Sequence, residues 1–296
     1  MKGRIAVWAA QVRAPFLLLA VALVLIGGAL AHDQGLFNSL RFVLCLVGTV
    51  LAHASVNLFN ELSDHRTGID HRTRRTPFSG GSGNLPSGAT TPSAVRFASW
   101  ATLLSAAAIG LALTLSAGWL LAVFILVGGL VTVFYTTHLA RVAMGELFAG
   151  LCLGSMVVVG TYLAITGEVT TTAVLVSVPP GILTSLLLFL NEFPDLEADR
   201  EGGRRHLLIL LGRRTSSRIY VLALAVCYAF IIGGFAAGWF PALILLTLLT
   251  LPLAFKASLT TLRDHESFEK MVPAQGANVG VVLGVDFLIA LAYFLH

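Results

Sequence analysis

The sequence predicts an all-α integral membrane protein, a bundle of nine transmembrane helices, and three observations carry that prediction. Charged residues make up only 11% of the 296 and hydrophobic ones 56%, with a mean hydropathy of +0.86. A soluble domain carries about 25% charged residues. The apolar runs are about 20 residues long and apolar on every side, as a helix crossing a bilayer requires. Membrane strands are only about 10 residues long and alternate in polarity. The third observation is the distribution of basic residues, which falls almost wholly on one side of a nine-span topology.

The spans read 15–32, 38–60, 96–116, 119–138, 143–166, 170–193, 218–237, 240–261 and 275–295. The first follows Lys2, Arg4 and Arg13, which gives it the look of a signal peptide. It lacks a convincing small-residue cleavage site and eight spans come after it, so it is read as a retained helix. Pro179 and Pro180 predict a kink in the sixth span. Cys45, Cys152 and Cys227 lie inside spans without ligand-like spacing and read as small buried apolar side chains.

Nine spans put the N-terminus and the 2–3, 4–5, 6–7 and 8–9 loops on one side. That side holds Lys2, Arg4 and Arg13, then Arg66, Arg72, Arg74, Arg75 and Arg96, then Arg141. It also holds Arg200, Arg204, Arg205, Arg213, Arg214 and Arg218, and finally Lys256, Arg263 and Lys270. Of the 19 basic residues only Arg41 falls on the other side. The positive-inside rule makes the crowded side cytoplasmic and puts the C-terminus outside. The net charge of +4 is therefore a topology signal and, in part, an anion-binding one; no nucleic-acid partner is implied.

Two acidic stretches lie on the cytoplasmic side. In 57–70, Asn57, Asn60, Glu61 and Asp64 fall at i, i+3, i+4 and i+7, one face of a helix. Gly68 reads as a helix stop, and Asp70 follows it. In 191–205, Asn191, Asp195 and Asp199 step by four and share a face. The two Asn-x-x-x-Asp pairs are four spans apart, which suggests a parallel repeat about the membrane normal. Acidic faces ending apolar helices are costly and mark function. The connections 65–93 and 194–216 follow them and are long, as functional loops tend to be. The whole of 1–296 reads as a single transmembrane domain with these two loops as a cap over the active site.

Two carboxylate clusters on one membrane face repel unless something positive sits between them. A hard dication fits, because Mg²⁺ takes carboxylate and phosphate oxygens, and guanidinium groups grip phosphate oxygens in pairs. Acid with arginine is the composition of a metal–diphosphate site. The simpler reading pairs each arginine with a nearby acid, but it leaves two Asn-x-x-x-Asp faces in register unexplained. The Ser-Gly-Gly-Ser-Gly run at 79–83 could cradle phosphate, though it lacks a P-loop ending; a flexible hinge is the simpler reading.

These stretches resemble the first and second motifs of the UbiA family of intramembrane aromatic prenyltransferases, a nine-helix bundle. The branch acting on 1,4-dihydroxy-2-naphthoate is most similar. Gly68 and Asp70 extend the first motif, Thr76 to Gly83 match its Thr-Pro-Phe-Ser-Gly-Gly-Ser-Gly loop, and Tyr135, Gly145 and Glu146 match a middle motif. Asp199, Arg200, Gly203, Arg204 and Arg205 extend the second. Glu61 stands where Asp is usual, Glu192 where that branch often has Asn, and His206 where it has Thr. The resemblance implies transfer of an isoprenyl group from a polyprenyl diphosphate to an aromatic acceptor in the bilayer, with Mg²⁺ as cofactor. It implies Mg²⁺ ligands among Asn60, Glu61, Asp64, Asp70, Asp195 and Asp199, and catalysis by Asn60, Asp64, Asp195, Asp199 and Glu146. It implies diphosphate binding by Arg66, Arg72, Arg75, Arg141, Asn191, Arg200, Arg204, Arg205 and Tyr135.

The sequence offers Phe59, Phe134, Tyr135, Tyr162, Phe189 and Phe193 as shields for an allylic cation, against ordinary core packing. His53 reads as core. Asp286 lies mid-span, either protonated or paired with a neighbour such as Asn278. Other acceptors compatible with the motifs are 4-hydroxybenzoate, homogentisate, haem and a glycerol phosphate lipid precursor. A cation-coupled transporter is a remote rival, since its acids would lie near the bilayer centre. The topology is open to direct measurement: in intact cells an impermeant thiol reagent should modify a cysteine introduced at position 296 and spare one at position 82. The reverse pattern would invert the orientation.

Overall fold

The computed structural model describes residues 3–296. Among them there is no strand, and nine helices make the bundle. They are α1 (Ala14–Asp33), α2 (Ser39–Thr67), α3 (Pro92–Ala117), α4 (Trp119–Phe134), α5 (Gly145–Thr166), α6 (Thr171–Glu201), α7 (Leu207–Ala236), α8 (Ala242–Asp264) and α9 (Phe268–Phe294). All but α4 are long and apolar enough to cross a membrane, and α4 is a shorter apolar helix of 16 residues. A separate short helix, Arg4–Gln11, precedes the bundle. Helix starts follow the capping rules: the side chains of Asn38, Thr91, Thr170 and Ser267 accept from the backbone N–H three residues on.

The apolar runs mark where the helices lie, and the helices outrun them at the polar ends. α2 continues to Thr67 and stops at Gly68, whose left-handed φ of 78° closes it. α6 continues through Pro194 to Glu201. The stretch 194–216 is thus not a long loop: residues 194–201 finish α6, α7 begins at Leu207, and only 202–206 connect them. Hydropathy sees the part of a helix that meets lipid, and these last turns are amphipathic. The 65–93 connection does remain largely irregular, with one helical turn at Ile69–Arg72. Gly212 breaks α7 internally (φ 75°, ψ 161°).

α1 packs against α2, α5 and α9, and α6 packs against α5, α7 and α9. One core joins them through Leu23, Ile26, Tyr162, Leu183, Leu190, Phe193, Tyr220 and Val281. In lipid the drive for helix association is close packing at small residues. Gly27 serves that on α1, where a Cβ would fall 2.6 Å from the Val158 carbonyl oxygen. Gly154 serves it in the π-helical turn Ala149–Ser155 of α5. A Cβ there would fall 2.7 Å from the Cα of Gly181, which follows the two prolines of α6. Outside, Leu104, Leu111 and Leu115 of α3 and Trp119, Leu126 and Leu130 of α4 are exposed, as lipid-facing side chains are.

Asp286 is fully buried and neither carboxylate oxygen has a partner. Asn278 does not pair with it; its amide accepts from the Tyr220 hydroxyl at 2.9 Å and donates to the Leu186 carbonyl at 3.2 Å. Overfilling the α1–α5 crossing should cost about 1–3 kcal/mol. Gly27→Leu is therefore expected to lower the thermal midpoint in detergent, while Leu104→Ala on the lipid face leaves it nearly unchanged. Equal midpoints for wild type and Gly27→Leu would contradict the tight crossing.

Candidate active site

α2 and α6 bring their acidic last turns to the mouth of one cavity of about 400 Å³. Asn60, Asp64, Asp70, Tyr135, Asn191, Asp195, Asp199 and Arg204 line it. Asn57 and His53 line it too, so His53 is a wall residue and not core filler. The remaining expected residues, Glu61, Arg66, Arg72, Arg75, Arg141, Glu146, Arg200 and Arg205, are not on the wall.

Arg204 is the hinge of the electrostatics. Its Nη1 donates to Asp199 Oδ1 at 2.9 Å and its Nη2 to Asp64 Oδ1, so one guanidinium joins α2 to α6. Burial pulls its pKa down, but the charges of Asp199 and Asp64 outweigh that and hold it above the ordinary arginine value. Asp195 accepts from the Thr73 hydroxyl and, at 3.1 Å, from the Gly80 N–H. Asp70 is the least provided for. Its Oδ2 is buried and unpartnered, and burial, with the charges of Glu61 and Asp64, pushes its carboxyl up to about 7.

Glu61 does something other than face the cavity. Fully buried, it takes Gln11 Nε2 at 2.9 Å, the Ser82 N–H at 2.5 Å and the Ser82 hydroxyl at 2.9 Å. Its carboxylate fastens the N-terminal helix and the glycine run onto α2. The glycine run is neither a plain hinge nor an open phosphate cradle. Gly80 and Ser82 direct their N–H groups at the acids of α6 and α2, which needs the left-handed φ of 87° at Gly80 and 68° at Gly81. A Cβ on Gly81 would lie 2.5 Å from Asp70 Oδ1.

The simpler reading holds for several arginines. Arg72 pairs with Glu201 at 3.4 Å and Arg200 with Glu197 at 2.9 Å, both exposed. Arg75 donates to the Asp70 carbonyl at 3.3 Å, and Arg66, Arg141 and Arg205 are exposed. The structure instead brings in Arg13, which sequence reasoning counted only as a topology residue. It lines the cavity, sits in the left-handed region (φ 52°, ψ 52°), and its Nε is buried without a partner. A non-glycine residue there signals local strain of the kind found at functional sites. Its place just before Ala14 and Pro15 was the available clue.

Glu192 and His206 are also on the wall, with Glu146 behind them. Of the proposed aromatic shields only Tyr135 faces the cavity. Tyr162 is core and donates to the exposed Gln34 at 2.7 Å, Phe189 and Phe193 are core, Phe59 packs edge-on to Trp100, and Phe134 is exposed. Phe16, Phe78, Phe124 and Phe148 line the cavity instead. Below the acids the wall is apolar, with Leu103, Ile109, Leu113, Phe124, Ile125, Val157 and Ala164. Along α2 the wall runs from Asp64 to Leu44, which at about 1.5 Å per residue is about 30 Å, the depth of a bilayer core.

The donor set at the mouth fits a hard dication. Asp64, Asp70, Asp195, Asp199 and the amide oxygens of Asn57, Asn60 and Asn191 are the oxygen ligands such an ion takes, and the buried Asp70 Oδ2 has no hydrogen-bond partner.

A model of the UbiA prenyltransferase family matches residues 17–279. A 1,4-dihydroxy-2-naphthoate octaprenyltransferase of Bacillus subtilis is 30% identical over 73% of this chain and 70% of its own. One of the same name from Escherichia coli is 27% identical over 99% of this chain and 96% of its own. The structure of an Archaeoglobus fulgidus UbiA homolog bound to GPP and Mg²⁺ superimposes with a TM-score of 0.61 at 13% identity, covering 98% of this chain and all of that one; it shares the fold.

Removing one partner of a buried ion pair costs about 3–5 kcal/mol, because the other charge stays behind. Arg204→Ala strands two carboxylates and should destabilise by about 3 kcal/mol, since the arginine itself is partly exposed. Adding Asp64→Asn should recover part of that loss. A double-mutant cycle on thermal melting checks it; additive losses would mean the guanidinium does not couple the two helices.

Proposed function

The chain belongs to the UbiA prenyltransferase family and is a multi-pass membrane prenyltransferase, and we propose that it transfers a polyprenyl group from its diphosphate to 1,4-dihydroxy-2-naphthoate, a step of menaquinone synthesis. The observation that carries the reaction class is one cavity, acidic and basic at its mouth and apolar for the rest of its depth. That polarity is complementary to an isoprenyl diphosphate. The acceptor rests on relatives of that name at 27–30% identity and on the motif running through Gly68, Asp70 and Thr76 to Gly83.

Asp64, Asp70, Asp195 and Asp199, with Asn60, would hold Mg²⁺. Bound there, it supplies charge against the diphosphate as the C–O bond breaks. Arg13 and Arg204 face the same space and bind the diphosphate oxygens that the metal leaves. Asn191 accepts from Gln275 at 3.3 Å through its oxygen, which leaves its NH₂ for phosphate. The apolar wall and the phenylalanines keep water from the allylic cation until the acceptor ring attacks. The attacked carbon then regains aromaticity by losing the group it carried: CO₂ where that is the naphthoate carboxylate, a proton where it is a ring hydrogen, while the diphosphate leaves with the electrons of the broken C–O bond. The 65–93 connection, tied to Glu61 and Asp195, acts as the cap, on the cytoplasmic side of the membrane. Glu192 and His206, on the cavity wall, favour one second reading: the same reaction on another hydroxyaromatic acceptor.

Purified protein supplied with labelled polyprenyl diphosphates and a panel of acceptors tests the proposal. Naphthoate should give the best kcat/KM, and a clear preference for another ring would replace it. Asp64→Ala and Asp195→Ala should abolish turnover while the protein stays folded, and full turnover in excess chelator would remove the metal. Arg13→Ala should raise the diphosphate KM and lower kcat, together about 10- to 150-fold for a charge-assisted hydrogen bond of about 1.5–3 kcal/mol. The acceptor KM should hardly move; a defect confined to the acceptor would reassign Arg13.

A further inference from the structure

Glu146, Glu192 and His206 form a group that neither the diphosphate site nor the packing uses. One ligand atom from each lies within 4.8 Å of the others, and the three residues are 4%, 7% and 2% exposed. Glu146 Oε2, Glu192 Oε2 and His206 Nδ1 are buried and take no hydrogen bond from a donor elsewhere in the protein; they face one another, the two carboxyls within hydrogen-bonding reach and Glu192 Oε2 3.3 Å from His206 Nδ1. We infer that these three side chains form a second cation site, built for a transition-metal dication and distinct from the oxygen-only Mg²⁺ site at the cavity mouth.

The other atoms of the group are already fixed. Glu146 Oε1 accepts from the Leu207 N–H at 2.8 Å, at the start of α7. His206 Nε2 lies 3.2 Å from Asp199 Oδ2. A carboxylate on one ring nitrogen puts the proton there and frees the other nitrogen's lone pair, the usual outer-shell support of a metal-binding histidine. Here the freed atom is Nδ1, on the side of the glutamates. Carboxylate oxygens and imidazole nitrogens bind Zn²⁺ at about 2.0–2.2 Å, so around a tetrahedral ion ligand atoms stand about 3.4 Å apart. Glu192 Oε2 and His206 Nδ1 already stand at 3.3 Å, and the rest of the group, within 4.8 Å, would close by about 1 Å through side-chain movement. An imidazole with two carboxylates suits Zn²⁺, Co²⁺, Mn²⁺ or Fe²⁺, whereas Mg²⁺ prefers oxygen alone. Three protein ligands leave positions open, and Glu192 and His206 are on the cavity wall. The two glutamates and the histidine come from α5, α6 and the 202–206 turn, so the ion would tie three elements together below Arg204.

The test is metal binding by the full chain in detergent, stripped with chelator and then kept in excess Mg²⁺ to fill the oxygen sites. Titrated Co²⁺ should bind one equivalent, with the visible absorption of cobalt held by nitrogen and oxygen, and Zn²⁺ should displace it and raise the melting temperature. Glu192→Gln and His206→Ala should each weaken Co²⁺ binding by at least about 10-fold, the loss that follows removal of even an outer-shell partner. Asp195→Ala, in the other cluster, should keep the spectrum. Wild-type protein that takes up no Co²⁺ above its Mg²⁺-filled sites overturns the inference without recourse to any variant, and leaves the group a proton-sharing ion pair. Uptake unchanged in both variants overturns it equally. Prenyl transfer can succeed or fail in the panel above without affecting either outcome.

Discussion

One guanidinium decides whether the two acidic helix ends can meet. Asp64 and Asp199 approach a common point at the end of apolar helices, where bringing two carboxylates together is strongly opposed. Arg204 sits between them and bonds to both. It reaches that position because α6 ends at Glu201 and the chain turns at once, its N–H donating to the Asp199 carbonyl at 2.9 Å. The short 202–206 connection is what makes the arginine available there. A buried ion pair is weak evidence for stability, but it is strong evidence for register. α2 and α6 cannot slide against each other without unpairing it.

The second constraint is how the mouth is held open without filling. A chain crossing above the acids would ordinarily intrude with side chains. Gly80 and Gly81 cross with backbone alone, close enough that a Cβ on Gly81 would meet Asp70 and one on Gly80 the backbone of Arg75, and the N–H groups of Gly80 and Ser82 go to Asp195 and Glu61. Glu61 then ties in Gln11, whose amide oxygen accepts from Thr90 at 2.9 Å. The N-terminal helix, the glycine run and the start of α3 thus share one buried carboxylate. This explains why a longer carboxylate at position 61 is accommodated: it reaches away from the cavity to clasp the loop and leaves the ligand role to its neighbours on the helix.

The sequence made the helices legible because lipid enforces a simple rule on each of them, and it made Asn60, Asp64, Asp195 and Asp199 legible because costly acids at helical spacing have few uses. It misled where two functions share one residue type. Arginine on the cytoplasmic side obeys the positive-inside rule whether or not it meets a substrate, so Arg13 was hidden among topology residues and Arg72 and Arg200, paired to Glu201 and Glu197, were over-read. Hydropathy likewise ends a helix where lipid ends, which turned the last turns of α6 and the first of α7 into a loop. The aromatic residues carried no directional signal, since Phe124 and Phe134 differ only in which face of α4 they occupy.

The division of the cavity follows from the same helices. α2 has its acids in its last turns and contributes Leu44, Cys45 and Gly48 to the wall about three or more turns deeper. One element therefore supplies both the polar head site and part of the apolar groove. The spacing between the head site and the groove is fixed by helix geometry and not by loop conformation. Gly110 and Gly160 keep that groove narrow at its lower wall, with Ile125 and Phe124 of α4 against them. α4 is the shortest of the nine bundle helices, and its residues Trp119, Leu126 and Leu130 are exposed. Such a cavity is complementary to an amphiphile whose charged head stays at the helix ends while its tail lies along the apolar wall.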